Sequence, residues 1–328
     1  MPEEADSCLA VRITAVHRSE INIVGVGLET TIHSPRAINH KARVTIGDWL
    51  LLEKDTNRIL RRLDRFSVFQ RKAAGSARNV QLIAANVDTL MIVSSCNDDF
   101  NVARLERYLA LAREANVTPV LVLTKADLCN SVDDYRALAI NLMPGLEVEA
   151  LDAKSASDVA KLKKWCGQGQ TIAFVGSSGV GKSTLTNSLL GEQKAATREI
   201  READAKGRHT TTHRALYPLQ FGGWILDTPG VRELQLTDVA EGLSEVFSDL
   251  EELVTQCRFN NCRHQSEPAC AVKAAIKAGL LDEARFERWQ KLVVENTSNT
   301  LGFAQLRQIE TPSTKRWTGK KTGSQKKR

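Results

Sequence analysis

Two short patterns stand in an order that leaves few folds open. Gly176-Ser177-Ser178-Gly179-Val180-Gly181-Lys182-Ser183 matches G-x-x-x-x-G-K-S, a loop whose glycines let the backbone wrap around a row of phosphates. Thr124-Lys125-Ala126-Asp127, of the form that selects guanine at the far end of such a nucleotide, lies upstream of it. The usual arrangement runs the other way. The inversion predicts a circular permutation, in which one nucleotide-binding α/β fold is kept while the chain enters and leaves it at new places, as close-lying termini permit.

The surroundings of the phosphate loop support it. Thr171 to Val175 reads as a strand and Lys182 to Leu190 as the helix behind the loop, with Gly191 placed to cap it. Backbone N–H groups and the helix N-terminus then face negative charge. Lys182 is expected to bridge the β and γ phosphates, the Ser183 hydroxyl to ligate Mg²⁺, and Thr184 to complete the loop's contacts. Asp227-Thr228-Pro229-Gly230 follows the apolar Trp224-Ile225-Leu226, so Asp227 is expected at a strand end holding Mg²⁺ through water, with the Gly230 amide on the γ-phosphate. Between them, Gly207-Arg208-His209-Thr210-Thr211-Thr212 suits a first switch segment, and Thr211 is the candidate Mg²⁺ ligand.

Asp127 is expected to accept hydrogen bonds from the ring N–H and exocyclic amine of guanine, a donor pair that adenine lacks. The stem of Lys125 can lie along the base. Thr124 stands where the pattern usually has Asn, and Ala126 is the variable position. Asp152-Ala153-Lys154 resembles a second base-contacting loop, with Asp152 in place of its usual Ser. Val231 follows the D-x-x-G, and its apolar side chain cannot orient a water. Slow unaided hydrolysis is therefore expected, raised by a partner or by His209, the candidate catalytic side chain, for which a solvated loop residue is the alternative.

The rest of the chain divides by texture. Leu9 to Ile13, Ile21 to Val24 and Trp49 to Leu52 are short β-rich runs separated by turn residues, which predicts a small β-barrel over residues 1–71. Residues 72–235 alternate continuous apolar strands with helical patterns, the mark of a parallel sheet covered on both faces. Residues 236–310 read as helical, with Ala271 to Ala278 and Asp282 to Val294 the clearest segments. The last stretch, 311–328, has seven basic residues and no acid, which more than accounts for the net charge of +6 and suits a disordered tail meeting a polyanion such as RNA. No apolar run reaches the length of a membrane span and the first residues are acidic, so a cytoplasmic, membrane-free protein is expected.

Seven cysteines in a chain of 328 residues do not make a disulfide framework. Cys257-x4-Cys262-x-His264-x5-Cys270 instead offers three thiolates and an imidazole, a closed tetrahedral set that predicts one structural Zn²⁺. Cys8, Cys96, Cys129 and Cys166 read as small packing residues.

Taken together, Gly47-Asp48-Trp49, the permuted motif order, Gly207 to Thr212, Asp227-Thr228-Pro229-Gly230-Val231-Arg232 and the cysteine cluster resemble the ribosome small subunit-dependent GTPase A family, RsgA, also called YjeQ or YloQ. That resemblance implies a multidomain α/β protein: an N-terminal OB-fold barrel binding RNA, a circularly permuted GTPase domain and a C-terminal helical zinc domain. It further implies a monomeric factor of the cytoplasm that binds GTP and GDP with Mg²⁺, associates with the small ribosomal subunit and its rRNA late in assembly, and hydrolyses GTP when the subunit stimulates it. Two other readings stay open. One is a GTP-holding RNA scaffold with negligible turnover, which Val231 makes conceivable; the other is an ATPase, which requires Asp127 to be accidental.

Overall fold

The computed structural model describes residues 7–34, 43–72, 80–191, 215–227 and 239–309. Its centre is a run of six strands in the order β10-β9-β8-β11-β13-β12, comprising β8 (Thr89–Ser95), β9 (Thr118–Thr124), β10 (Glu147–Ala150), β11 (Thr171–Val175), β12 (Ala215–Pro218) and β13 (Trp224–Asp227). All neighbours are parallel except β12, which runs antiparallel to β13. Every residue of β8 is buried, as a strand covered on both faces requires. One apolar core lies against the Val102–Glu114 helix and the C-terminal helices, and a second lies against the Lys182–Leu190 helix.

The topology places a crevice. From β8 the chain moves outward to β9 and then β10, and it returns to lay β11 on the other side of β8 before moving on to β13. β8 and β11 are therefore neighbours whose connections leave in opposite directions, and ligands of open α/β sheets bind beyond the carboxyl ends of strands at such a switch point. The phosphate-loop pattern begins directly after β11, and the guanine pattern begins at the last residue of β9.

The N-terminal residues form β1 (Cys8–Val16), β2 (Glu20–Gly25), β3 (Leu28–His33), β4 (Trp49–Glu53) and β5 (Ile59–Arg62), all antiparallel in the order β3-β2-β1-β4-β5, the strand order of an OB barrel. Their core is Val11, Ile13, Ile21, Ile23, Leu50 and Leu52. These alternate along each strand, the period of two that faces one side inward. β1 continues the central sheet through a bridge of Ala15 to Ala215 on β12. A hairpin of β6 (Val68–Lys72) and β7 (Val80–Ala85) joins the barrel to β8 and spans the position where the texture of the sequence changes.

The Gly47-Asp48-Trp49 triplet builds this junction. Gly47 has φ +87° and packs so closely on β7 that an added Cβ would lie 2.0 Å from the Ala85 carbonyl oxygen. Fully buried Asp48 accepts from Arg65 at 2.6 Å and 2.7 Å and from the Thr45 amide at 2.7 Å. Trp49 faces the Arg12 guanidinium, whose Nη2 donates to the Asn86 carbonyl at 2.8 Å.

The C-terminal helices are Ala240–Val246, Ser248–Thr255, Ala271–Lys277 and Glu283–Ile309. The first is fastened to the Val102–Glu114 helix at Gly242, where an added Cβ would lie 2.1 Å from the Ala110 carbonyl oxygen and where the amide donates to Glu114 at 3.1 Å. The last is fastened to the same helix by charge. Fully buried Glu106 meets Arg288 at 2.8 Å and Arg285 at 3.5 Å, and Arg107 pairs with Glu295 through two bonds of 2.7 Å and 2.8 Å. Burial pushes the Glu106 carboxyl up, against the opposing pull of Arg288 and Arg285. No helix among the described residues is long and apolar enough to cross a membrane.

Candidate functional site

The phosphate-loop sequence adopts the backbone its glycines allow. Gly176, Gly179 and Gly181 all have positive φ, and a Cβ on Gly176 would lie 2.1 Å from the Val93 carbonyl oxygen at the end of β8. Gly181 caps the Lys182–Leu190 helix, and Gly191 closes its other end by donating to Asn187 at 3.0 Å. Ser177, Ser178 and Gly179 reach the surface while Val180 is buried beneath them. The Lys182 side chain, mostly buried, folds back so that its ammonium donates to the Gly176 carbonyl at 2.8 Å and to that of Ser177. Ser183 is exposed and Thr184 half-buried at the helix start, while Asp227 closes β13 on the same carboxyl-end side of the parallel strands.

The guanine pattern stands across β8 from this loop. Thr124, fully buried, donates its hydroxyl to the Val180 carbonyl at 2.6 Å, with the Ser94 carbonyl a second acceptor at 3.2 Å. Lys125 takes the left-handed conformation at φ +58°, turning the chain outward so that Ala126 is half-buried and Asp127 exposed. The segment Asp152-Ala153-Lys154 lies beside it, since the Leu151 amide donates to Leu123 at 2.9 Å and the Ala126 amide to Leu151 at 3.5 Å. That segment also touches the phosphate-loop helix, where the Ser188 hydroxyl donates to the Ala153 carbonyl at 3.0 Å. Asp152 turns its carboxylate into its own loop, accepting from the Lys154 amide at 2.9 Å. The three patterns, dispersed along the sequence, thus share one rim of the sheet. His209, Thr211, Gly230 and Val231 lie outside the described residues, as does the basic stretch 311–328.

Sequence reasoning missed several groups around the rim. A cleft at Gly176 and Ser177 is bordered by Asp99, Asn101, Arg104 and Tyr108, where Arg104 pairs with Asp99 at 3.1 Å. The Asn101 side chain caps the Val102–Glu114 helix by accepting from the Arg104 amide at 2.9 Å. Neither these residues nor Ser188 belongs to a spaced pattern. Their position follows from strand order, which periodicity does not reveal.

The second candidate centre is the cysteine cluster. The Sγ atoms of Cys257, Cys262 and Cys270 and a ring nitrogen of His264 lie within 4.8 Å of one another. Cys257 Sγ is 3.6 Å from His264 Nδ1 and 3.9 Å from Cys270 Sγ, and His264 Nδ1 is 3.4 Å from Cys270 Sγ. A tetrahedral ion holding thiolates at ~2.3 Å sets them about 3.8 Å apart, so the donor set is compatible with zinc. Around it, the Glu267 carboxylate accepts from the amides of Arg263 at 2.8 Å, Gln265 at 2.8 Å and Ser266 at 3.1 Å. The His264 ring stands edge-on to Phe286 at 5.8 Å, which ties the loop to the long C-terminal helix. Elsewhere burial pushes the Cys166 thiol up to about 12 and the Cys96 thiol up to about 11, as packing residues that stay protonated.

The chain is similar to known proteins. The family described as RsgA GTPase matches residues 62–237. A Vibrio parahaemolyticus protein named small ribosomal subunit biogenesis GTPase RsgA 2 is 48% identical over 93% of this chain and 84% of its own length. A Mesorhizobium japonicum protein named small ribosomal subunit biogenesis GTPase RsgA is 48% identical over 89% of this chain and 85% of its own. Among solved structures, YjeQ from Thermotoga maritima aligns with a TM-score of 0.65 at 23% identity, covering 88% of this chain and 98% of that one. YloQ, described as a circularly permuted GTPase, aligns at 0.61 and 22%, covering 93% and 97%. At such identities these two structures speak to the fold, and YloQ is the one described as permuted.

Proposed function

We infer the function from one premise: this chain belongs to the RsgA GTPase family. It is a GTP hydrolase that acts in biogenesis of the small ribosomal subunit, using Mg²⁺ with its nucleotide. The observation that carries the reading is the junction of the guanine pattern with the phosphate loop, Thr124 to Val180 at 2.6 Å.

Within that reading the residues divide by the chemistry they offer. The backbone from Gly176 to Gly181, with Lys182 and Thr184, receives the phosphates; Ser183, Asp227 and Thr211 surround Mg²⁺; and the Gly230 amide meets the γ-phosphate. Asp127 reads guanine and Lys125 covers it, with Asp152, Ala153 and Lys154 along the base's edge. His209 is the candidate for orienting water, because Val231 has no polar atom to do so. The barrel of residues 1–71 and the basic tail meet rRNA chiefly through phosphates, as one chain per subunit in the cytoplasm, and the cluster at Cys257, Cys262, His264 and Cys270 holds one structural zinc in the unit of residues 236–310.

Phosphate release, measured with and without purified small subunits, tests the reading. Slow turnover that rises severalfold or more on adding subunits is expected. Turnover that stays negligible in both would favour the GTP-holding scaffold that Val231 allows, and ATP competing on equal terms with GTP would overturn the guanine assignment.

A further inference from the structure

We propose that Cys96 and Cys129 are a redox modification site, two thiols that peroxide joins in a reversible disulfide beside the guanine-reading turn. The bond itself needs only the fold; its effect on nucleotide rests on the GTPase reading given above. Ser95 pairs with Thr124 where β8 and β9 end together, and the next residue, Cys96, donates its amide to the Thr124 carbonyl at 3.0 Å. From Thr124 the chain turns outward through Lys125 at φ +58° and comes back at once. The Leu128 amide donates to the Lys125 carbonyl at 3.1 Å and the Cys129 amide to that of Ala126 at 3.3 Å. This return sets Cys129 against the same apolar core that holds Cys96, and the two thiols hydrogen-bond to one another. Tyr135, Asp98 and the Ser131 hydroxyl, 3.7 Å from Cys129 Sγ, stand around the pair.

The two sulfurs differ in access. Cys96 is 6% exposed, and burial, ahead of the influence of Cys129, pushes its thiol up to about 11. Cys129 is half-buried, so it is the sulfur that meets the oxidant. Having lost its proton to solvent, Cys129 Sγ attacks one oxygen of hydrogen peroxide; the O–O bond breaks, the departing hydroxide takes up a proton to become water, and Cys129 is left as a sulfenic acid. Cys96 Sγ then attacks Cys129 Sγ, the S–O bond breaks, and the Cys96 proton leaves with the hydroxyl as a second water. Two thiols and one peroxide thus become one disulfide and two waters. An S–S bond is about 2.05 Å long, shorter than any contact between separate thiols. Closing it draws Cys129 toward the end of β8, and with it the turn that carries Asp127 two residues earlier. A carboxylate moved off the donors of the base loses hydrogen bonds to GDP and GTP alike.

Peroxide treatment of the full chain, then alkylation of the remaining thiols and peptide mapping by mass spectrometry, tests the bond; equilibrium binding of fluorescent GDP before and after treatment tests its effect. A linked pair of peptides holding Cys96 and Cys129 is expected with peroxide and absent after dithiothreitol. GDP binding is expected to weaken by about 10-fold and to return with the thiols, as when one hydrogen bond to a charged group is lost and regained. Cys129→Ser is expected to bind GDP within about twofold of the unaltered chain and to keep that affinity through peroxide, which separates this pair from the Cys257, Cys262 and Cys270 thiols. Should that variant fail to fold by circular dichroism, Cys96→Ala takes its place and the same result is expected. No linked peptide, a link between other cysteines, unchanged GDP affinity in the linked chain, or a loss that persists in the variant would each overturn the proposal. Failure of the reduced chain to bind GDP would instead overturn the GTPase reading, with the peptide map still deciding whether the bond forms.

Discussion

At the scale of single residues, the positions that matter most are small or short and act on backbone. Gly47, Gly176 and Gly242 each sit against a carbonyl oxygen that would lie about 2 Å from any added Cβ. Glu267 works the same way from the polar side. Its carboxylate gathers the Arg263, Gln265 and Ser266 amides, and these donors, the Arg263 amide first, hold it down to about 2. A carboxyl held below its free value stabilises the fold while ionised. That contribution is present above roughly pH 4.3, the ordinary glutamate value, and disappears as pH falls toward 2. Glu267→Gln should therefore melt below wild type at pH 7 and yield the proposed zinc to a chelator more readily, and the two melting temperatures should converge as pH drops through that window. Equal melting and equal zinc retention at pH 7 would remove Glu267 from the loop's support.

At the scale of elements, the strands and the phosphate-loop helix were legible and their partners were not. Continuous apolar runs marked β8, β9 and β11 because strands buried on both faces leave no polar alternation to confuse the pattern. Short β-rich runs marked β1, β2 and β4, but β3 (Leu28–His33) and β5 (Ile59–Arg62) bury too little to stand out, and β6 with β7 were not singled out. The motifs named the rim of the site, yet the ties across it, Thr124 to Val180 and Ser188 to Ala153, depend on strand order and have no spacing to read. Least visible was the Val102–Glu114 helix as a shared support, one end bordering the phosphate-loop cleft and its length bearing the Ala240–Val246 and Glu283–Ile309 helices. Gly242→Ala should force that packing apart and cost about 1–3 kcal/mol, the usual penalty of overpacking. Urea unfolding followed by circular dichroism measures it; an unchanged midpoint would mean that the helices separate at no cost.

For the whole molecule, permutation changes what each domain hangs from. The guanine-reading strands now come first and the phosphate-loop strands last, so β13 leads onward to the C-terminal helices, while β12 bridges back to β1 of the barrel. One nucleotide site thus stands between two units, each fastened to it by buried charge or close backbone contact: Arg12 on the Asn86 carbonyl and Gly47 against Ala85 on one side, and Glu106 with Arg288 on the other. For the proposed affinity for a ribosomal partner, charge is the expected source, and the sequence concentrates that charge in residues 311–328. Each phosphate neutralised by a basic side chain steepens the fall of log affinity with log salt by about 0.7 to 0.9. Seven basic residues, all engaged, would supply a slope of about 5 or 6. A chain ending at Glu310 should therefore bind small subunits with a slope shallower by several units, and the difference between the two proteins should narrow as salt rises. Equal slopes in a salt titration of the two would assign the electrostatic contact to the barrel and the C-terminal helices, and leave the tail as a solubilising segment.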